Sequence, residues 1–80
     1  MATITLPDEC AAITGGECVL SIAVDNYRDL HAELVLRWPK LDALLNRYAV
    51  AIDGQIYQDA FMEPLAAHSD VFFMPRIEGG

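Results

Sequence analysis

The chain has 80 residues, of which 54% are hydrophobic and 21% charged, with a formal net charge of −7. That is the composition of one small packed domain, too apolar for a disordered chain. The acidic balance argues against a phosphate-backbone ligand, which needs clustered Lys and Arg, and favours a partner with a basic patch. Met1-Ala2-Thr3-Ile4 lacks the basic and long apolar segments of a secretory leader. The longest apolar stretches, residues 18–24 and 71–74, fall far short of the roughly 18 residues a membrane helix needs. The expectation is a cytoplasmic protein with no nucleic-acid or membrane partner, its Cys10 and Cys18 reduced. A disulfide between them would require that they face each other across paired strands.

Thr3-Ile4-Thr5-Leu6 alternates polar and apolar and reads as a first strand with Ile4 and Leu6 inward, stopped by Pro7. Residues 7–14 have no clear period and are expected to form an irregular connection, punctuated by Gly15-Gly16. Residues 18–24 supply a second strand, with Cys18, Leu20, Ile22 and Val24 on one face. Asp25-Asn26 offers side-chain oxygens to the orphan N–H groups of a helix start. Apolar residues then recur at Tyr27, Leu30, Leu34, Val35 and Trp38, the stripe of an amphipathic helix. Asp29, Glu33 and Arg37 fall on its wet face, and Pro39 ends it near Arg37 or Trp38. Residues 41–45 add a short helical turn that folds Leu41, Leu44 and Leu45 onto the core.

Residues 48–52 form a third strand with Tyr48, Val50 and Ile52 on one side. Asp53-Gly54 is a strong hairpin turn signal, because both positions want positive φ, and residues 55–57 return. Residues 58–69 are expected to be loop, with a helical turn around Leu65. The last strand begins at Val71: Val71 and Phe73 share one face, Phe72 and Met74 the other, and Pro75 suits a strand end or edge. The predicted architecture is therefore α+β. A mixed sheet of four to five strands carries one main helix across one face, with the first and last strands side by side at its centre.

Side chains offer little chemistry. His31 and His68 stand far apart and neither pairs with a cysteine at zinc-ligand spacing. Two cysteines fall short of the four thiolates of an iron–sulfur cluster. Cys18 reads as core, and Cys10 lies beside Asp8 and Glu9, which raise rather than lower a thiol pKa. Gly15-Gly16 lacks the further glycines and lysine of a phosphate-binding loop. What remains is the terminal carboxylate of Gly80. A Gly79-Gly80 ending can thread a narrow channel, and no Cβ crowds attack on the last carbonyl. The plain alternative is a frayed end on an interaction module.

The residues resemble the MoaD/ThiS family of ubiquitin-like sulfur carriers, which have a β-grasp fold. Leu30, Leu34, Trp38, Pro39 and Leu41 match the family's helix end, and Val50-Ala51-Ile52-Asp53-Gly54 matches its hairpin. Leu65, Asp70-Val71, Phe73, Pro75 and Gly79-Gly80 match its ending. The chain departs from the pattern at His68, where glycine is usual, at Ser69, often acidic, and at Arg76, often a second proline.

The resemblance implies a single β-grasp domain over residues 1–77 and a flexible tail over residues 78–80. It implies a carrier that is no enzyme on its own: a co-substrate, or the small subunit of a sulfurtransferase such as molybdopterin synthase. An E1-like adenylyltransferase would spend ATP to adenylate Gly80. Sulfur from a persulfide donor would then displace AMP to leave a thiocarboxylate, with slim Gly79 giving access. No cofactor is held stably. Phe72, Met74, Pro75, Arg76 and Ile77 are the partner-binding candidates; for Phe72 and Ile77 the alternative is burial under a loop or the helix. The ending and the helix motif resemble the small subunit of molybdopterin synthase, whose large subunit would be the acceptor. Ile4-Thr5-Leu6-Pro7 with Ile13-Thr14-Gly15-Gly16 looks more like the cysteine-biosynthesis carriers, and thiamine thiazole is a further acceptor class. A ubiquitin-like modifier, joined to amines through Gly80, would share the activation step.

Overall fold

Alternation builds the first hairpin. Strand β1 (Ala2–Thr5) turns Ala2 and Ile4 inward and pairs antiparallel with β2 (Val19–Ile22), so that Ile4 faces Leu20 and Ala2 faces Ile22. The structure, a computed structural model, describes residues 1–75. β2 is shorter than expected because β1 offers only four residues to pair with. Cys18 and Val24 therefore lie beyond its ends, half-buried.

The connection between the two strands is not irregular. A 3-10 turn (Asp8–Cys10) runs into a short helix α1 (Ala11–Thr14), which Gly15 closes in the left-handed conformation at φ 71°. Cys10 N–H donates to Pro7 O at 2.9 Å, and Thr14 Oγ1 donates to Glu17 O at 2.7 Å. A helix this short shows no hydrophobic period in the sequence. What holds it is the burial of Cys10 at one end and a glycine that accepts positive φ at the other.

Helix α2 (Tyr27–Arg37) starts where Asn26 caps it: the Asn26 side chain accepts from Asp29 N–H at 2.7 Å. Tyr27, Leu30 and Leu34 are buried, and Glu33 meets Arg37 at 3.2 Å on the outer side. Helix α3 (Leu41–Leu45) buries Leu41 and Leu45. Strands β3 (Tyr48–Ile52) and β4 (Gln55–Tyr57) join through Asp53-Gly54, at φ 49° and 86°, the turn that the sequence calls for.

The final strand β5 (Asp70–Pro75) enters the middle of a five-stranded sheet of order β2-β1-β5-β3-β4, parallel to β1 and antiparallel to β3. One core gathers Ile4, Leu30, Leu34, Leu41, Val50, Val71 and Phe73 between the helices and one sheet face. Residues 58–69 contain no helical turn at Leu65. Their backbone is spent on the helix entry instead: Tyr27 N–H donates to Glu63 O at 3.0 Å and Leu65 N–H to Asp25 O at 2.8 Å. No helix among the described residues is long and apolar enough to cross a membrane.

Candidate functional site

The chain's last described strand is also the central one of the sheet. β5 has a neighbour on each side, and its inward residues Val71 and Phe73 are buried, Val71 between Ile4 and Ile52 in register. The Phe73 ring lies 6.2 Å from that of Tyr27 on α2. Pro75 stands opposite Tyr48 at the strand end, where its missing N–H breaks no interior ladder bond. Arg76, Ile77, Gly79 and Gly80, together with the boundary expected after residue 77, lie outside the described residues.

The start of β5 is clamped. The Asp53 carboxylate accepts from Asp70 N–H at 2.9 Å and from Ser69 Oγ at 2.8 Å, and Ser69 Oγ itself accepts from Ala66 N–H at 2.9 Å. Asp53 N–H returns to Asp70 O at 2.9 Å, and Thr3 N–H donates to Ser69 O at 2.9 Å. The backbone and hydroxyl donors hold the Asp53 carboxyl below the usual carboxylate range. His68 and Ser69 both precede the clamped strand. Among the described residues Asp53 is the non-glycine residue with positive φ, so His68 meets no left-handed requirement. Ser69 is buried and serves as a hydrogen-bond relay.

Among the described residues no helix covers the other face of the sheet, although the small Ala49 and Ala51 are buried there between larger neighbours. Register places Val19, Thr5, Phe72, Ala51 and Ile56 in one row across all five strands, roughly 19 Å from end to end at the usual strand spacing. Val19 is 65% exposed, Phe72 48% and Ile56 52%. Phe72 is therefore not under a loop or helix, and Met74 sits half-buried beside Ala49. Val19 and Ile56 were not among the residues expected to dock. The period-2 pattern places Val19 outward, but only the pairing shows that it lines up with Phe72.

At the β5 exit, Glu9, Arg47, Tyr48 and Pro75 line a hollow of about 200 Å³. The Tyr48 hydroxyl donates to Glu9 Oε1, which with lesser help from desolvation and the Glu9 charge pushes the phenol up to about 12. The cysteines differ from expectation in burial: Cys10 is buried and Cys18 only half-buried, because Cys10 ends a turn that faces the core while Cys18 precedes its strand. Burial, then the Glu9 charge, then Cys18 push the Cys10 thiol up, away from nucleophilic use. His31 Nε2 lies 3.5 Å from Asp42 Oδ1, with its ring between those of Tyr27 and Phe61, and His68 is exposed in a turn. Among the described residues no group of three or more His, Cys, Asp or Glu is placed to hold a metal ion.

No protein-family model matches the chain, and no curated protein matches it. Solved structures do match, among them the two that follow. One is a chain from the crystal structure of the Amycolatopsis orientalis BexX/CysO complex, at 15% identity over 100% of both chains with a TM-score of 0.83. The other is SAMP1 from Haloferax volcanii, at 20% identity over 99% of this chain and 98% of that one, with a TM-score of 0.68. Likeness over the whole length at such low identity speaks for backbone shape. Together with the five-stranded mixed sheet and its covering helix, it gives the chain the β-grasp fold.

Proposed function

We propose that this protein is a sulfur carrier, its Gly80 carboxylate adenylated by an ATP-consuming partner and converted to a thiocarboxylate. The observation that carries the reading is the seat of β5. The strand that leads to Gly79-Gly80 lies at the sheet centre, with Val71 and Phe73 buried and Asp53 and Ser69 clamping its start. A chain end that must enter another protein's active site benefits from a rigid root, since play at the root would spread the positions of the reacting atom. The row of Val19, Phe72 and Ile56, with Met74 and Pro75 beside the exit, is the docking surface in this reading.

Intact-protein mass spectrometry after incubation with an activating enzyme, ATP and a sulfur source tests the reading. The expected product is heavier by the exchange of one oxygen for sulfur, and a Gly80-deleted chain gains nothing. Equal behaviour of the two chains would overturn it, and amine-linked conjugates would show a modifier instead. The acceptor that we propose is the pterin precursor of molybdopterin synthase, on the ending and helix motif. A second reading, an activated serine derivative in a cysteine pathway, draws on residues 4–7 and 13–16, where Thr14 and Gly15 close a defined capped turn. Presenting the thiocarboxylated chain to each acceptor enzyme separates the two.

A further inference from the structure

Leu36 interrupts the wet side of α2, where it is 78% exposed. Beside it opens a groove of about 530 Å³, lined by His31, Ala32, Val35, Leu36, Pro39 and Asp42. Ala32, Leu36 and Pro39 are exposed and Val35 is half-buried, so the walls are chiefly apolar. The His31 ring stands between those of Tyr27 and Phe61, which steadies one wall. The groove lies on the helix side of the molecule, whereas Val19, Phe72 and Ile56 lie on the other sheet face.

Two features of the groove select its occupant. The first is charge. The Asp42 side chain stands 55% exposed at one end, and among the described residues no Lys or Arg lines the walls. The cations of α2 are already engaged, Arg28 with Asp29 at 3.9 Å and Arg37 with Glu33 at 3.2 Å. His31 Nε2, 3.5 Å from Asp42, makes no hydrogen bond and balances that carboxylate only when protonated. α2 also ends at Arg37, so the negative end of its dipole falls toward Pro39 and Asp42. The second feature is backbone. The walls come from a helix, a proline and the first turn of α3, none of them a strand edge with which an extended peptide could pair. An occupant must bring a backbone that satisfies its own hydrogen bonds, which means a helix. From His31 to Pro39 the groove runs about 12 Å, roughly two helical turns. We propose that it is the docking site for an amphipathic helix of a partner protein, with apolar residues at i, i+4 and i+7 and a Lys or Arg that meets Asp42. A second copy of this chain, at a net charge of −7, and an anionic lipid surface are both repelled. A helix seated here leaves the sheet row free for a different partner. This goes beyond sulfur carriage and holds or fails independently of it.

The probe is a synthetic peptide of roughly 18 residues, above the length at which isolated helices are marginal. It carries Leu at i, i+4 and i+7 and Lys beside the last Leu, and a twin peptide carries Glu in place of Lys. In nitrogen-15 NMR spectra of the full chain, the Lys peptide should move the Ala32, Val35, Leu36 and Asp42 amides and leave those of Phe72 and Ile56 in place. Leu36→Ser should weaken binding by roughly tenfold, the loss of one buried apolar contact. Asp42→Asn should remove the preference for the Lys peptide, and Asp42→Lys should turn it toward the Glu peptide. Unmoved Ile4 and Val71 amides confirm that each variant is folded. The proposal is overturned if the Lys peptide moves no groove amide, if it moves the sheet row instead, or if Asp42→Asn leaves the preference intact. It is also overturned if the groove amides shift with protein concentration alone or with phosphatidylserine vesicles, which would make a second copy or a lipid surface the occupant.

Discussion

Phe72 and Phe73 are adjacent in the chain and meet opposite surroundings. Phe73 is 9% exposed and packs toward Tyr27 of α2, while Phe72 is 48% exposed on the sheet face that no helix covers. Strand geometry alone sends them to opposite sides, but it does not say which side is dry. That is decided by α2 and α3, which put their buried leucines over one face only. The covered face carries stability. The open face retains aromatic and aliphatic surface whose removal costs the fold little, which is the property expected of a contact surface.

Truncating the two residues breaks the comparison most sharply. Phe73→Ala should cost about 3–5 kcal/mol in urea unfolding, since it leaves a cavity in the core. Phe72→Ala should cost less than about 1 kcal/mol while weakening partner capture. Equal losses at the two positions would remove the distinction between the faces. Next in size is the helix that makes the difference. Asn26→Ala removes the oxygen that accepts from Asp29 N–H, and should cost about 1 kcal/mol, read as a drop of roughly 4–8 °C in Tm.

The root of β5 offers a pH-dependent contrast. Because the Asp53 carboxyl is depressed in the folded chain, its contribution is present above the ordinary carboxylate pKa, near about 4. It is lost as pH falls through the lower folded value. Asp53→Asn tolerates the same positive φ but does not titrate, so its Tm should fall less steeply in acid than that of the parent chain. The smallest effect is at the other end of the strand. Tyr48 is raised, so its contribution is present below the ordinary tyrosine pKa of about 10 and fades as pH climbs through about 12. Glu9→Gln should bring the phenol back toward its ordinary value, visible as an earlier tyrosinate absorbance. An unchanged titration would show that Glu9 does not hold Tyr48.

Much of the fold was legible in the chain. The alternation of Val71 to Met74, the Asp53-Gly54 turn, the Asn26 cap and the 27–38 stripe each reflect a local rule that tertiary packing did not override. The misreadings also share a cause. Residues 7–14 looked irregular because a helix of one turn is too short to display a period, and Leu65 looked helical because its backbone partner, Asp25, lies forty residues earlier. Cys10 is more buried and Cys18 less buried than the sequence suggested, for the same reason. Burial there depends on what packs from elsewhere in the chain, and no local period reports that.

The sequence by itself determined which residues alternate, where the turns and the main helix fall, and that Val71 and Phe73 part from Phe72 and Met74. Only the tertiary structure decided that Val19, Phe72 and Ile56 stand in one row, and that Trp38 and Lys40 border a trough with Ala12 and Ile13. The physical reason is range. Side-chain direction follows from a two- or four-residue backbone period. A surface made from three strands and a groove made from α1 and the end of α2 depend on register and closure between segments tens of residues apart.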